Sequence, residues 1–237
     1  VAKHGKKYVD AMKQFSRANS YSPQEAVELV RSTSTANFDA TVEVHIRMNL
    51  DPRQADQQLR GSVTLPHGTG KQVRILVFAE GEATKMAEEA GADYISDEDL
   101  FKKIEDGWLE FDATIAIPQM MGKVSKLGKI LGPRGLMPSP KSGTVVAPED
   151  VGRVIDELRQ GRVEFKMDKT ANIHVPIGKV SFQPEQLLDN FANLVDAIQS
   201  ARPPGAKGQH IKKIVLTSTM GPGIKIDISD AVALRAA

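Results

Sequence analysis

Thr41-Val42-Glu43-Val44-His45-Ile46-Arg47-Met48 alternates apolar and polar residues without a break. At the two-residue period of a strand, Val42, Val44, Ile46 and Met48 share one face, while Thr41, Glu43, His45 and Arg47 share the other. One buried and one open face marks an antiparallel sheet wetted on one side. Arg60–Pro66 reads as its continuation on a neighbouring strand. The pattern then changes. After His67-Gly68-Thr69-Gly70 comes Val73-Arg74-Ile75-Leu76-Val77-Phe78-Ala79, a dense apolar run suited to a strand covered on both faces. Past Gly161 the alternation returns, in Arg162–Met167, Ile173–Val180 and His210–Thr219. The simplest architecture is one domain built from both ends of the chain, with a unit of another kind inserted between them.

On this reading residues 1–67 together with 160–237 form a discontinuous α+β domain, an antiparallel sheet plus helices. Residues 68–159 form the insert, and two crossings near 67 and 160 make a double hinge with Gly68, Gly70 and Gly161 as its pivots. Ser22-Pro23-Gln24-Glu25 has the form of a capping box with proline at the first helical position. Ala26, Val27, Leu29 and Val30 then supply an apolar face. Within the insert, strands alternate with helices: Glu82–Ala90 stopped by Gly91, a strand at Asp93–Ile95, a helix started by Ser96, a strand at Asp112–Ile117, and a helix opened by Pro148 and running to Arg159. That order predicts a three-layer α/β (Rossmann-like) unit with a small parallel sheet. Pro184–Ala201 is an amphipathic helix, Pro203-Pro204-Gly205 a break, and the closing IKIDISDAVALRAA a short strand with an end expected to fray.

The formal net charge is only +1, but the charge is segregated. Glu80–Asp112 holds twelve acidic residues against three lysines, a local balance of −9. Met121–Gly143 holds five cations and no anion, and Ala201–Ile226 (Lys207 included) again holds five and none. Segregated charge gives basic surfaces on a nearly neutral protein, and a phosphate responds to the local potential. There is no cysteine, hence no disulfide framework and no thiolate metal site. No apolar run has the length of a membrane span, and the basic opening VAKHGKKYVD lacks the apolar stretch of a secretory signal. The expectation is a cytoplasmic globular protein without a membrane partner.

Enzyme motifs fail on inspection. Gly68-Thr69-Gly70-Lys71 suggests a phosphate loop, yet Gln72 stands where Ser or Thr is needed, and the segment precedes a strand. The five histidines show no metal-ligand spacing, and no nucleophile elbow occurs. No cofactor and no metal are expected. The acidic pairs Glu88-Glu89 and Asp97-Glu98-Asp99 read as solvated helix faces and caps. A nucleotide-binding α/β enzyme is the rival reading. It meets an acidic turn, Ala79-Glu80-Gly81-Glu82, where phosphate would have to sit. An architectural DNA binder is a third.

Two stretches carry chemistry. Met121–Pro140, MGKVSKLGKILGPRGLMPSP, sets Lys123, Lys126, Lys129 and Arg134 on a segment whose second half, rich in Gly and Pro, reads as an ordered loop. Thr217-Ser218-Thr219-Met220-Gly221-Pro222-Gly223 ends a strand in hydroxyls and turns on Gly-Pro-Gly beside Lys212, Lys213 and Lys225. Such groups hydrogen-bond RNA phosphates and 2′-hydroxyls. With so few aromatics, stacking of single-stranded RNA is not the mode; folded RNA is.

These two stretches, with FDATVEVHIRMNLDPRQADQQLRGSVTLPHGTGK (Phe38–Lys71) and GRVEFKMDKTANIHVPIGKVSF (Gly161–Phe182), resemble the L-one family of large-subunit ribosomal proteins, bacterial type, in the family's order along nearly the whole chain. The resemblance implies the two-domain layout and an rRNA- and mRNA-binding site on the split domain. That site would comprise Glu28, Phe38, Thr41, Glu43, Lys166, Asp168, Lys169, Thr217, Thr219, Met220 and Gly221. Lys123, Lys126, Lys129 and Arg134 would make a secondary RNA contact. The implied partners are large-subunit rRNA at the mobile stalk of the 50S-type subunit, the protein's own operon mRNA, and transiently the exit-site tRNA, whose deacylated form it would help release. Asn37, Met167 and Lys213 depart from the family pattern.

Overall fold

A computed structural model describes residues 5–203, 205–206 and 208–234. The first four residues of the basic opening, Pro204 of the predicted break, Lys207 and the last three residues of the fraying end lie outside the described residues. In chain order the elements are α1 (Lys6–Met12), α2 (Pro23–Ser32), β1 (Thr41–Met48), β2 (Arg60–Thr64), β3 (Ile75–Phe78), α3 (Glu82–Glu89), β4 (Tyr94–Ile95), α4 (Glu98–Glu105), β5 (Ala113–Ala116), α5 (Met121–Val124), α6 (Gly128–Leu131), α7 (Val151–Arg159), β6 (Arg162–Lys166), β7 (Asn172–Lys179), α8 (Pro184–Ser200), β8 (Ile211–Ser218), β9 (Ile224–Ile226) and α9 (Ile228–Ala233). The fold is mixed α/β, with antiparallel and parallel sheets. Two compact units comprise Val1–Gly70 with Gly161–Ala237, and Lys71–Gln160.

In the first unit a four-stranded antiparallel sheet runs β7-β1-β8-β9. Val42, Val44, Ile46 and Met48 are buried, as the alternation requires, against Val27 and Val30 of α2 and Phe191, Leu194 and Ile198 of α8. The capping box of α2 is made in full. Ser22 Oγ accepts from the Glu25 N–H, and the Glu25 carboxylate accepts from the Ser22 N–H. Such a cap contributes about 1 kcal/mol.

The expected pairing of Arg60–Pro66 beside β1 is wrong. β1 is central and both its edges are taken, by β7 and β8, so β2 pairs instead with β6 in a separate two-stranded ribbon. Gly61 faces Phe165 across that ribbon. A Cβ on Gly61 would stand 2.7 Å from the Phe165 ring, which is buried in the core.

In the second unit the sheet is parallel, in the order β4-β3-β5. All four residues of β3 are fully buried, so both its faces are covered. α4 starts one residue later than expected, because Asp97 rather than Ser96 caps it, its carboxylate accepting from the Leu100 N–H at 2.6 Å. Pro148 opens a single 3-10 turn that runs into α7. Gly128 begins α6 and does not belong to a loop. Met120, Val124, Leu127 and Leu131, buried in the core at helical spacing, hold residues 121–131 in successive helical turns, and irregular chain begins only after Leu131. Helices α1 and α9 were not foreseen. Each buries a single residue (Ala11 and Ala231) and is too short to show a period. Among the described residues no helix is long and apolar enough to cross a membrane.

Candidate nucleic-acid interface

The end of the antiparallel sheet where β1 starts and β8 finishes is knitted by side chain and backbone alike. Thr219 N–H donates to the Thr41 carbonyl at 2.9 Å, and Thr41 N–H donates back to Thr219 Oγ1 at 3.1 Å. The turn closes through Gly221 N–H to the Ser218 carbonyl, 2.8 Å, while the Thr217 hydroxyl lies 3.2 Å from the Gly221 carbonyl. A Cβ on Gly221 would stand 2.2 Å from Ser218 Oγ and 3.1 Å from the Ser218 carbonyl oxygen, so a side chain there requires the Ser218 hydroxyl to move.

Met220 occupies the left-handed region at φ 67°, a conformation that costs a non-glycine residue about 1–2 kcal/mol. The turn spends that strain on holding Met220 out in solvent, 76% exposed. Phe38, three residues before Thr41, is 61% exposed. Read alone, each would be placed in a core. The structure instead presents both as bare apolar side chains at one end of one sheet.

Below them lies the open face of the sheet. Thr41, Glu43, His45 and Arg47 of β1 have as cross-strand neighbours Lys179, Pro176, His174 and Asn172 of β7, and Thr217, Val215 and Lys213 of β8. Glu43 is thus flanked by Thr217. His45 Nδ1 and His174 Nδ1 are 2.7 Å apart, so one donates and the other accepts. Burial first, and the neighbouring His174 second, push the His45 pKa below its ordinary value, with Glu43 opposing.

Lys179 belongs to this site and was missed. Counting by twos from Ile173, Val175 and Ile177, it should point into the core. A bulge in β7 shifts the register between Val42 and Glu43, brings Lys179 opposite Thr41, and lets its ammonium donate to Thr41 Oγ1 at 2.8 Å. The only sequence trace of the bulge is Gly178, at φ 155° and packed against Leu187 and Phe182.

The other expected residues divide. Glu28 is exposed on α2, and Lys166 and Lys169 are exposed at and beyond the end of β6. Asp168 is turned into its own loop, accepting from the N–H groups of Thr170 and Asn172 (2.8 and 2.7 Å) and from the Thr170 hydroxyl. Burial works against its ionisation, but the Asn172 and Thr170 donors, with His174, outweigh it and hold its pKa at about 2. Asp168 thus shapes the loop that carries Lys169. Met167, which departs from the family pattern, is buried in the core.

In the second unit Lys123 is ion-paired with Glu80 of the acidic turn, whereas Lys126, Lys129 and Arg134 are exposed. Gly68, Gly70 and Gly161 all have positive φ. A Cβ on Gly161 would come within 2.4 Å of the Gly68 Cα. The chain before Gly68 is clamped by Asn190 of α8, fully buried, whose Oδ1 accepts from the His67 N–H and whose Nδ2 donates to the carbonyls of Gly68 and Ile177. Nothing in the sequence marks Asn190 beyond its being an amide on an amphipathic helix.

Among the described residues no three His, Asp or Glu side chains converge on a metal site. Hydroxyls, two bare apolar side chains and a largely cationic open face on one sheet are groups of the kind that meet nucleic acid, the class of partner this surface is suited to. Residues 30–222 match the sequence model of the Ribosomal protein L1p/L10e family, and the chain belongs to that family. It is accordingly an RNA-binding protein of the large ribosomal subunit, from a family of structural ribosomal proteins and not of enzymes.

Proposed function

We propose that the unit built from both chain ends docks on folded large-subunit rRNA at the base of the mobile stalk, beside the tRNA exit site, with Thr217, Thr219, Met220 and Gly221 at the centre of the contact. The observation that carries this reading is the joint exposure of Met220 and Phe38 around the Thr41–Thr219 hydrogen bonds. Thr41, Glu43 and the turn hydroxyls meet 2′-hydroxyls and phosphates, Lys166 and Lys169 add phosphate contacts, and Glu28 accepts from ribose. Asp168 acts by setting the loop. In cytoplasmic ribosomes the protein aids release of deacylated tRNA, with Lys126, Lys129 and Arg134 of the insert as a secondary contact to rRNA or passing tRNA. Gly68, Gly70 and Gly161 form the double hinge between a split and an inserted domain.

When rRNA is saturated, the same face binds the leader of the protein's own operon mRNA and represses its translation. This control requires the rRNA site to bind more tightly than the mRNA site. The experiment is a competition in which labelled leader mRNA is displaced by a stalk-base rRNA fragment at fixed salt. Displacement by rRNA at concentrations well below that of the mRNA's own unlabelled competitor supports the scheme, and preference for the message over rRNA refutes it.

A further inference from the structure

The bulge that redirects Lys179 has a counterpart at the opposite end of the same sheet. On β8, Ile214, Leu216 and Ser218 are buried, so a two-residue count places Lys212 in the core as well. A register shift between Arg47 and Met48 intervenes. Met48 pairs with Ile211, Arg47 with Lys213, and Lys212 is the extra residue, exposed next to the exposed Lys213. Bulges of this kind serve to re-aim a side chain.

Lys212 is aimed at a concavity of about 400 Å³ whose charged walls are Arg47, Arg53, Lys169, Lys212 and Asp51. Four cations face one carboxylate. Among the described residues none of the four cationic side chains is hydrogen-bonded or ion-paired within the protein. Asp51 is partly engaged, since its Oδ1 accepts from the Arg53 N–H at 3.0 Å. The walls are fixed. Met48 N–H donates to the Ala171 carbonyl and Asn49 N–H to the His210 carbonyl, both at 2.8 Å, which ties the three segments together. Ala171 takes φ 63°, and Asp168 closes the turn that presents Lys169. Held by backbone rather than by ion pairs, the four cations repel one another with the single carboxylate of Asp51 among the walls to offset them. That arrangement is stable when an external polyanion supplies the charge.

We propose that this concavity is a second anchoring point for RNA, gripping the phosphodiester backbone of the strand whose other end meets the Thr217–Gly221 turn. The inference rests on the rRNA reading above. Arg47 lies on the same open face as Thr41, six residues along β1, so the two anchors are roughly 20 Å apart. The division of labour is physical. The turn contributes shape and apolar contact, and the concavity contributes charge.

The test is equilibrium binding of large-subunit rRNA at several salt concentrations by wild type, Arg53→Gln/Lys212→Gln and Met220→Gly. Removing two phosphate contacts should flatten the slope of log K against log salt by about 1.5 and weaken binding about tenfold near 0.15 M salt. Met220→Gly should weaken binding with the slope unchanged. If the Arg53/Lys212 variant keeps the wild-type slope, the anchor is refuted while the turn site stands. In parallel, amide shifts of the wild type are followed by NMR on titration with sodium tripolyphosphate. Should wild type fail to bind rRNA, the functional reading falls. Shifts centred on Arg53, Lys169 and Lys212 would then still support a phosphate site, and their absence would overturn it.

Discussion

Replacing Met220 with glycine separates strain from recognition. The residue sits at φ 67°, where a side chain costs about 1–2 kcal/mol that glycine does not incur. Glycine in turn makes the unfolded chain more flexible, which returns about 0.5–1 kcal/mol of that gain. The variant should therefore be as stable as wild type or up to about 1 kcal/mol more stable in urea denaturation. Binding should move the other way. Full burial of a methionine is worth about 1.5–3 kcal/mol. Because 76% of Met220 remains available, covering it with RNA should contribute about 1–2 kcal/mol, or a loss of about 5- to 30-fold in affinity when it is removed. Filter binding to rRNA at fixed salt reads the second quantity. Met220→Ala keeps the strain and should show the same loss of affinity without the gain in stability. Unchanged affinity of Met220→Gly, or a stability loss above about 1 kcal/mol, would show that the side chain serves the fold instead.

Three further outcomes are expected. Asn190→Ala removes three hydrogen bonds from a fully buried site and strands the backbone groups they served, so urea denaturation should report a loss of roughly 3–5 kcal/mol. Gly161→Ala places a Cβ 2.4 Å from Gly68 at φ 102° and should cost roughly 2 kcal/mol or more; a neutral result would mean that the crossing relaxes freely. The Asp168 pKa is depressed in the folded protein to about 2, so its contribution is present at neutral pH and fades as pH falls below the ordinary carboxylate range. Between about pH 5 and 2 wild type should therefore lose more stability than Asp168→Asn, measured as the difference between their urea midpoints; parallel curves would contradict the assignment.

The sequence was most legible where one period ran long. The eight residues of β1 and the apolar run at β3 showed which faces are buried, because alternation and uninterrupted burial are distinct patterns. Ser22 and Glu25 announced the start of α2 because both partners of a capping box lie within four residues. Failures came where long-range pairing overrides local order. β2 looked like a neighbour of β1, but only the tertiary structure shows that both edges of β1 are occupied. Lys179 was hidden by a bulge, which adds one residue and so reverses the face on which the next residues of the strand lie. Lys212 was noticed for its charge but set beside the hydroxyl turn, whereas it lies at the opposite end of β8, exposed by a second bulge. The Gly- and Pro-rich second half of the basic stretch is irregular from Gly132 on, as its composition suggested; only Gly128 misled, because buried Val124, Leu127 and Leu131 hold the first half helical. Of the candidate site, the hydroxyl turn could be read directly. The exposure of Phe38 and Met220 could not, since apolar residues in a strand-rich segment are ordinarily core.

The most direct measurement is the affinity of a stalk-base rRNA fragment for wild type and for Thr219→Ala/Met220→Ala across a range of salt. The account predicts tight binding by wild type and a loss on the order of a hundredfold in the variant, at an unchanged salt slope because no charge is removed. Equal binding by the two proteins would contradict it and move recognition away from the turn.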